Sequence, residues 1–370
     1  MTLLARPFLR LPFSTSSATQ SIIKYLIAAV AASGIRHVMD PDTWIYTLSH
    51  PLSTGAHNHL ILRHQALKSH SLTTTKIMEQ LPHLPAIERL SPRVIRILGG
   101  NPSKFTLQGT NTYLLGTGPK RLLLDTAEGK NIWKTSLQKV LKEENASIEK
   151  VILTHWHPDH VGGVEDVKEI CSGGGGGSGN GNVKIYKNQR KPGRKDEVDF
   201  QNGEVFEVEG ARIHALHSPG HTVDHMAFFL EEEDAMFTGD NVLGHGTAVF
   251  EDLGMYVESL RVMERAFKGR AYPAHGDVVE DGPGKVREYL EHRRMREEEV
   301  LETLKGEKPG ETEGWTSMEL VKVIYRKYPE NLWGPAEGGV KQVLAKLEGE
   351  GKVVKFRDGS WGLVAGKAAL

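Results

Sequence analysis

The stretch Thr-His-Trp-His-Pro-Asp-His at residues 154–160 directly follows the apolar run Val-Ile-Leu at residues 151–153. A short β-branched run of this kind is typical of a buried strand, so the polar stretch is predicted to lie at a strand end. Its three imidazoles and one carboxylate supply the nitrogen and oxygen ligands that zinc accepts. The stretch therefore predicts a metal site at the edge of a sheet.

Three more residues of ligand type follow later in the chain, each at the end of a predicted strand. His221 lies in Ser-Pro-Gly-His-Thr, Asp240 closes the run that begins at Ala235, and His275 closes the run that begins at Ala271. In the competing interpretation these histidines are structural residues with satisfied hydrogen bonds, and Asp159 only caps a helix. That interpretation is disfavoured because chance rarely places every expected residue type at successive strand ends. The candidate ligands are His155, His157, Asp159, His160, His221, Asp240 and His275.

The order of these seven residues resembles the metallo-β-lactamase superfamily over roughly residues 90–305. The resemblance implies an α/β fold, the αββα sandwich, with two metal ions at one edge of its paired sheets. In that family pattern Asp240 would bridge the ions, and Asp159 would also handle a proton. By the same pattern His155, His157 and His221 would hold the first zinc, and Asp159, His160 and His275 the second.

The chemistry of such a site explains its residue types. Two zinc ions about 3.5–4 Å apart can share a water, lower its pKa toward neutrality and polarise the oxygen of a substrate carbonyl or phosphoryl group. The resulting metal-bound hydroxide needs no serine or cysteine nucleophile. The sequence therefore predicts a zinc-dependent hydrolase that carries two Zn²⁺ ions per chain.

Other polar residues near these motifs are weaker candidates. Asp125 follows the apolar run at residues 122–124 and is expected either to accept the second N–H of a ligand imidazole or to form a turn. The family usually places glycine two residues after this Asp, and Ala127 departs from that pattern. His217, His225 and His245 lie near the motifs, but nearness in sequence alone favours a structural role for each.

Composition limits the class of protein. The chain has 370 residues, of which 39% are hydrophobic and 25% charged, so it can bury a large core and form two domains. A net charge of −1 provides no overall attraction to nucleic acid or to an acidic membrane. Cys171 is the one cysteine, which excludes an intrachain disulfide, and it is interpreted as a helix-end residue.

Residues 1–77 differ from the rest and are predicted to be an extension that is disordered or serves in targeting. They contain seven Lys and Arg against two acidic residues, together with many Ser and Thr, which resembles a mitochondrial transit peptide. The apolar segment 25–32 is too short to cross a membrane. The functional chain could start at Met1 or near Met78.

The glycine run at residues 173–177 is predicted to be a flexible surface loop.

Alternating short strands and helices fill the predicted catalytic domain, residues 87–305, and end in a long charged helix over residues 284–304. A separate module at residues 311–366 is predicted to have a winged-helix-like fold, with helices over 317–327 and 336–348 and strands over 352–356 and 361–364. Its acidic and basic side chains are nearly equal in number, which argues against a DNA-binding surface. Shaping the mouth of the active site is the expected role.

The layout from Ile87 to Val364 resembles one subgroup, the lactamase-like 2 proteins. This subgroup includes fungal thioesterases that release aromatic polyketides from acyl carrier protein, and a mitochondrial single-strand endoribonuclease. Neutral charge and the short gap between Asp240 and His275 favour the thioesterase in the cytoplasm, with an acyl carrier protein or small acyl thioester as partner and no membrane. The transit-like extension favours the mitochondrial nuclease, which is the alternative. A non-enzymatic binding protein is disfavoured because a structural zinc site would use four ligands around one ion.

Overall fold

A computed structural model describes residues 81–173, 183–308 and 310–364 of this chain. The predicted extension at residues 1–77 and most of the predicted glycine loop lie outside these described residues. None of the helices in the described ranges is long and apolar enough to cross a membrane.

Two sheets build the catalytic part. The first has the order β1 to β7, with strands Ile87–Ser91, Val94–Leu98, Asn111–Leu115, Lys120–Leu124, Ser147–Leu153, Lys184–Lys187 and Glu197–Val198. The second has the order β12-β11-β10-β9-β8, where β8 to β12 are Val205–Val208, Ala211–His217, Met226–Leu230, Ala235–Gly239 and Ala271–Pro273. The first sheet is antiparallel up to β4 and parallel from β4 to β7.

Alternation along each strand sends side chains to different layers. On β3, Tyr113 and Leu115 pack between the two sheets, whereas Leu114 packs on the outer face. On β11 in the second sheet, Phe237 packs between the sheets and Met236 packs outward. Because a strand points successive side chains to opposite faces, both faces of each sheet are apolar and need cover.

Helices cover both outer faces. The first sheet is covered by α1 (Asn131–Glu143) and α3 (Val164–Cys171), with the short α2 (Pro158–Val161) between them. The second sheet is covered by α4 (Leu253–Ala266) and α5 (Gly282–Lys305). The layers are helix, sheet, sheet and helix, so the predicted αββα sandwich is confirmed.

Helix α4 was not predicted from the sequence. Its signal is present, because Asp252 caps its start by accepting a hydrogen bond from the Met255 N–H at 2.8 Å. The apolar side chains that follow Asp252 recur at helical spacing and are buried, namely Leu253, Tyr256, Val257, Leu260 and Met263. Strand β1 was also missed, and its half-buried residues explain why its apolar pattern is weak.

The C-terminal module has the predicted order of helix, helix and hairpin. Its elements are α6 (Ser317–Ile324), α7 (Trp333–Gly349), β13 (Val353–Lys355) and β14 (Trp361–Leu363). Thr316 and Glu319 form a capping box at the start of α6. Buried side chains of α6 and α7 join the same apolar cluster as α4 and α5, so the module packs on the helices that cover the second sheet.

Candidate metal centre

The residues after β5 form the floor of the candidate site. Strand β5 ends at Leu153, and the chain then passes through His155 and His157 before Pro158 starts α2. Proline suits the first position of a helix because its missing N–H has no partner there. His155 and His160 are fully buried, so this turn holds their imidazoles inside the protein.

The structure brings all seven predicted ligands together at one edge of the sandwich. They form two groups, and within each group the ligand-type atoms lie within 4.8 Å of one another. The first group is His155, His157, His221 and Asp240, and the second is Asp159, His160 and His275.

The Asp240 carboxylate contacts both groups. Its Oδ1 lies 3.3 Å from His160 Nε2 and 3.2 Å from His275 Nε2. Its Oδ2 lies 3.4 Å from His221 Nε2. Asp240 therefore lies between the two groups.

The nitrogen atoms of the first group suit a cation. His155 Nε2, His157 Nδ1 and His221 Nε2 lie within 3.2 Å of one another. Burial holds the pKa of His155 well below its usual range and lowers the pKa of His157 to about 3. Neutral imidazoles present lone pairs, and a metal ion can accept several converging lone pairs that hydrogen bonds among the rings cannot satisfy.

The three carboxylates around His160 also indicate a site for positive charge. Burial alone would lower the pKa of His160, but Asp159, Asp125 and Asp240 together raise it well above its usual range. In the described part of the chain, His160 Nε2 and Asp240 Oδ1 are buried without a hydrogen-bond partner. Buried polar atoms usually have partners, so these two atoms fit a bound ion. The nitrogen and oxygen donors are a set that zinc accepts.

Asp125 supports His160 from behind. One oxygen of its carboxylate lies 2.8 Å from His160 Nδ1, and the other accepts the Thr154 N–H at 2.8 Å. Asp125 therefore contacts the imidazole of a candidate ligand, as expected from the sequence. The turn that carries it is strained, because Asp125 has φ 59° and the buried Ala127 has φ 52°, a region that alanine rarely adopts. Alanine in place of the family's usual glycine at position 127 therefore leaves the backbone of this turn in a strained conformation.

His221 is supported differently, by the backbone of the loop at residues 244–252. His221 Nδ1 lies 2.8 Å from the Val249 carbonyl oxygen. Gly220, directly before it, has φ +127°, and a Cβ there would lie 2.3 Å from the backbone of Tyr256 on α4. Glycine is therefore required where the His221 turn meets α4.

Three side chains hold the 244–252 loop. The Tyr289 hydroxyl donates to the Gly246 carbonyl at 2.7 Å and accepts the Leu243 N–H at 3.2 Å. Arg293 on the same helix, α5, donates to the Ala248 carbonyl at 3.0 Å. Gln342 on α7 donates to the Glu251 carbonyl at 2.9 Å. The sequence did not reveal these contacts, because their acceptors are backbone oxygens.

His225 holds the backbone of Asp240 in place. Its Nε2 accepts the Asp240 N–H at 3.1 Å, and its Nδ1 lies 2.9 Å from Ser218 Oγ. A Cβ on Gly239 would lie 2.4 Å from His225 Nε2, so this contact needs glycine before Asp240. His217 lies outside the ligand groups, and its Nε2 lies 3.0 Å from the Val223 carbonyl oxygen. His245 is exposed.

A buried ion pair joins β6 to the turn that carries His221 and His225. Lys187 Nζ lies 2.6 Å from an oxygen of Asp224, and both side chains are almost fully buried. Lys187 also donates to the Asn188 and Lys191 carbonyls, while Thr222 donates to the other oxygen of Asp224. Sequence reasoning missed this pair, because Lys187 lies in β6 of the first sheet and Asp224 lies in the turn between β9 and β10 of the second sheet.

A large open cavity of about 590 Å³ is lined by none of the seven ligands. Its lining includes Gly269 and Arg270, which precede β12, whereas His275 follows the other end of that strand. The edge that gathers the histidines, and not this cavity, is therefore the candidate site.

Known proteins match both parts of the chain. Residues 105–275 match the family described as Metallo-beta-lactamase superfamily, and residues 316–361 match the Beta-lactamase associated winged helix domain. An "Atrochrysone carboxyl ACP thioesterase" from Aspergillus chevalieri is 45% identical over 74% of this chain and 87% of that protein. A "Lactamase-like protein nscB" from Arthroderma gypseum is 45% identical over 75% of this chain and 88% of that protein.

Solved structures show the same fold at low identity. A beta-lactamase domain protein from Burkholderia ambifaria has a TM-score of 0.60 at 19% identity, covering 76% of this chain and 95% of that one. A metallo-beta-lactamase family protein from Thermus thermophilus has a TM-score of 0.54 at 23% identity, covering 75% of this chain and 100% of that one. At these identities the likeness concerns architecture alone.

Proposed function

The chain belongs to the metallo-beta-lactamase superfamily, and from this premise we propose that it is a zinc-dependent thioesterase that releases an aromatic polyketide acyl chain from an acyl carrier protein. The hydrolase part of the proposal rests on one observation. Seven imidazole and carboxylate side chains that could bind metal lie together at one edge of the sandwich. The thioesterase part is supported by the name of a relative that is 45% identical. The proposal assigns the chemistry to residues 87–305 and the shape of the site mouth to residues 311–366.

The residues present fit two zinc ions. His155, His157 and His221 would hold one, and the second would be held by Asp159, His160 and His275, with Asp240 shared. When bound, the ions supply a water of lowered pKa as nucleophile and polarise the thioester carbonyl.

Asp159 is the proposed proton acceptor. Its side chain is 21% exposed, compared with 13% for Asp240, so it is the more accessible carboxylate of the two at the centre. Thr110 Oγ1 donates to its Oδ2 at 2.9 Å, which fixes the orientation of the carboxylate. A carboxylate held in this way can take the proton of the attacking water and pass it to the leaving thiolate.

One observation favours the alternative, a single-strand endoribonuclease. Lys191 Nζ lies 3.7 Å from the centre of the Trp156 ring, and Trp156 lies next to His157. Arg190, beside Lys191, is exposed. Aromatic faces combined with cationic side chains are the features that bind single-stranded nucleic acid.

Salt dependence separates the two functions. Binding of RNA through several phosphates falls by orders of magnitude between about 50 and 200 mM salt, whereas a small acyl group in an apolar pocket is screened far less. We therefore expect the zinc-loaded protein to hydrolyse a carrier-free acyl-thioester analogue with a kcat/KM that is nearly independent of salt.

Alanine variants of His155, His157 and His221 should each abolish this hydrolysis. His214→Ala is the matched control, because His214 pairs with Glu231 and belongs to neither ligand group. Efficient, salt-sensitive cleavage of single-stranded RNA without thioester turnover would contradict the thioesterase and establish the alternative.

A further inference from the structure

A second cavity lies where the catalytic part meets the C-terminal module. Its volume is about 210 Å³, and its walls come from the 244–252 loop with the start of α4, from α5, and from α6 with α7. The apolar part of the wall includes Leu253, Val300 and Val340, all buried. Aromatic rings of Phe250 and Tyr325 complete it. None of the seven metal-ligand candidates lines this cavity.

Arg293 gives the cavity an unbalanced positive charge. Its guanidinium lies 4.7 Å from the centre of the Phe250 ring and 5.6 Å from that of Tyr256. Within the described residues Arg293 contacts the Ala248 carbonyl and these rings but pairs with no carboxylate, and its Nε is buried without a hydrogen-bond acceptor. The other arginine in the wall, Arg296, is neutralised by Glu299 at 2.6 Å. A partly buried cation that lacks an anion is costly, so a bound anion would stabilise it.

The size of the cavity limits the ligand. An apolar cavity of about 150 Å³ holds benzene, whereas sites for drug-sized ligands start at about 300 Å³. A volume of about 210 Å³ therefore suits one or two fused rings. Inorganic anions would leave the apolar wall unused, and a neutral hydrocarbon would leave Arg293 without an anion.

We propose that this cavity is a binding site for a small aromatic carboxylate. The rings pack against Phe250 and the aliphatic wall, and the carboxylate accepts hydrogen bonds from Arg293. Arg293 already donates to Ala248, and the next residue, Val249, accepts from His221, so the ligand contacts the loop that supports the metal centre. Two sources share this chemistry, which are the aromatic acid that hydrolysis of the thioester releases and a separate effector acid. Only the first source depends on the proposed function.

Calorimetric titration of the zinc-loaded full chain with 2-naphthoate tests the site. We expect saturable binding of one molecule per chain. The neutral analogue 2-naphthamide should bind at least about tenfold more weakly, because it lacks the charge that strengthens the Arg293 hydrogen bonds. Equal affinity for the acid and the amide, or no binding of the acid, would overturn the proposal.

Two neighbouring glycines of α7 provide a matched pair of variants. Gly339 lines the cavity and a Cβ there meets nothing within 4 Å, so we expect Gly339→Leu to occupy the cavity without displacing backbone. Gly338 has the same open surroundings but does not line the cavity, and both changes raise helix propensity equally. Gly339→Leu should abolish binding and Gly338→Leu should preserve it. Binding that survives in Gly339→Leu would place the acid elsewhere, for instance at the zinc ions.

The charge is tested by Arg293→Gln, which should weaken binding about tenfold or more. Arg294→Gln is its control, because Arg294 is exposed and paired with Glu291 and Glu298. Equal losses in the two variants would overturn the role of Arg293. These titrations require no turnover, so they remain informative if thioesterase activity fails. Inhibition of thioester hydrolysis by 2-naphthoate distinguishes the sources, since competition with substrate indicates the released acid and non-competitive inhibition indicates an effector.

Discussion

His160 and His221 present the same kind of nitrogen to the candidate metal centre, but different chemistry holds each ring. A buried carboxylate, Asp125, contacts His160 Nδ1 at 2.8 Å. His221 Nδ1 lies at the same distance from a backbone carbonyl, that of Val249. The first support is one charged side chain at a strand end. The second is a loop held in place by α5 and α7, so its strength depends on contacts far from the metal centre.

The first prediction concerns Asp240, whose carboxylate contacts both His160 and His221. Asp240→Asn removes the charge that faces His160, His275 and His221 together, so we expect loss of at least one zinc ion and a fall in turnover of more than about 100-fold. Elemental analysis and thioester hydrolysis measure these effects. Asp199→Asn, an exposed change of the same type, should leave both unchanged. A variant that kept two ions and normal turnover would show that Asp240 is not a ligand.

The second prediction weakens only the carboxylate support. Asp125→Asn keeps the shape of the side chain and tolerates the positive φ, but it removes the negative charge behind His160. Zinc affinity of the group formed by Asp159, His160 and His275 should fall about 10- to 100-fold, while the other group keeps its ion. Zinc content measured against increasing chelator concentration tests this.

Asp234→Asn is the control for Asp125→Asn, because Asp234 also has a positive φ of 47° but lies outside both ligand groups. Equal loss of both ions from Asp125→Asn would mean that the two supports are not separate.

The third prediction weakens only the loop support and should have the smallest effect. Tyr289→Phe leaves the Leu243 N–H and the Gly246 carbonyl without their partner, which costs about 1–3 kcal/mol of unfolding free energy. Both zinc ions should remain, and kcat/KM should fall by less than about tenfold because His221 keeps its carbonyl contact. Tyr328→Phe, at a side chain that is 52% exposed, is the control. Loss of zinc from Tyr289→Phe would show that the loop support of His221 is as important for zinc binding as the carboxylate support of His160.

The same comparison explains what the sequence could predict. The seven candidate ligands and Asp125 were found because each is a distinctive residue at or just after the end of an apolar strand, and the order of such ends is visible in the chain. Val249 was not found, since it contributes a carbonyl that any residue would provide. Arg293 and Gln342 were also missed, because they act across distances in sequence that only packing closes.

The buried pair of Lys187 and Asp224 has a consequence for how this sequence can change over time. Removing either partner alone would leave an unpaired buried charge, at a cost of about 3–5 kcal/mol, whereas replacing both by apolar residues of similar volume is often nearly neutral. Domain stabilities of about 5–15 kcal/mol leave little room for the single losses. Substitutions at residues 187 and 224 are therefore expected to become fixed together in descendants of this chain, and a lineage that loses one partner should soon lose or restore the other.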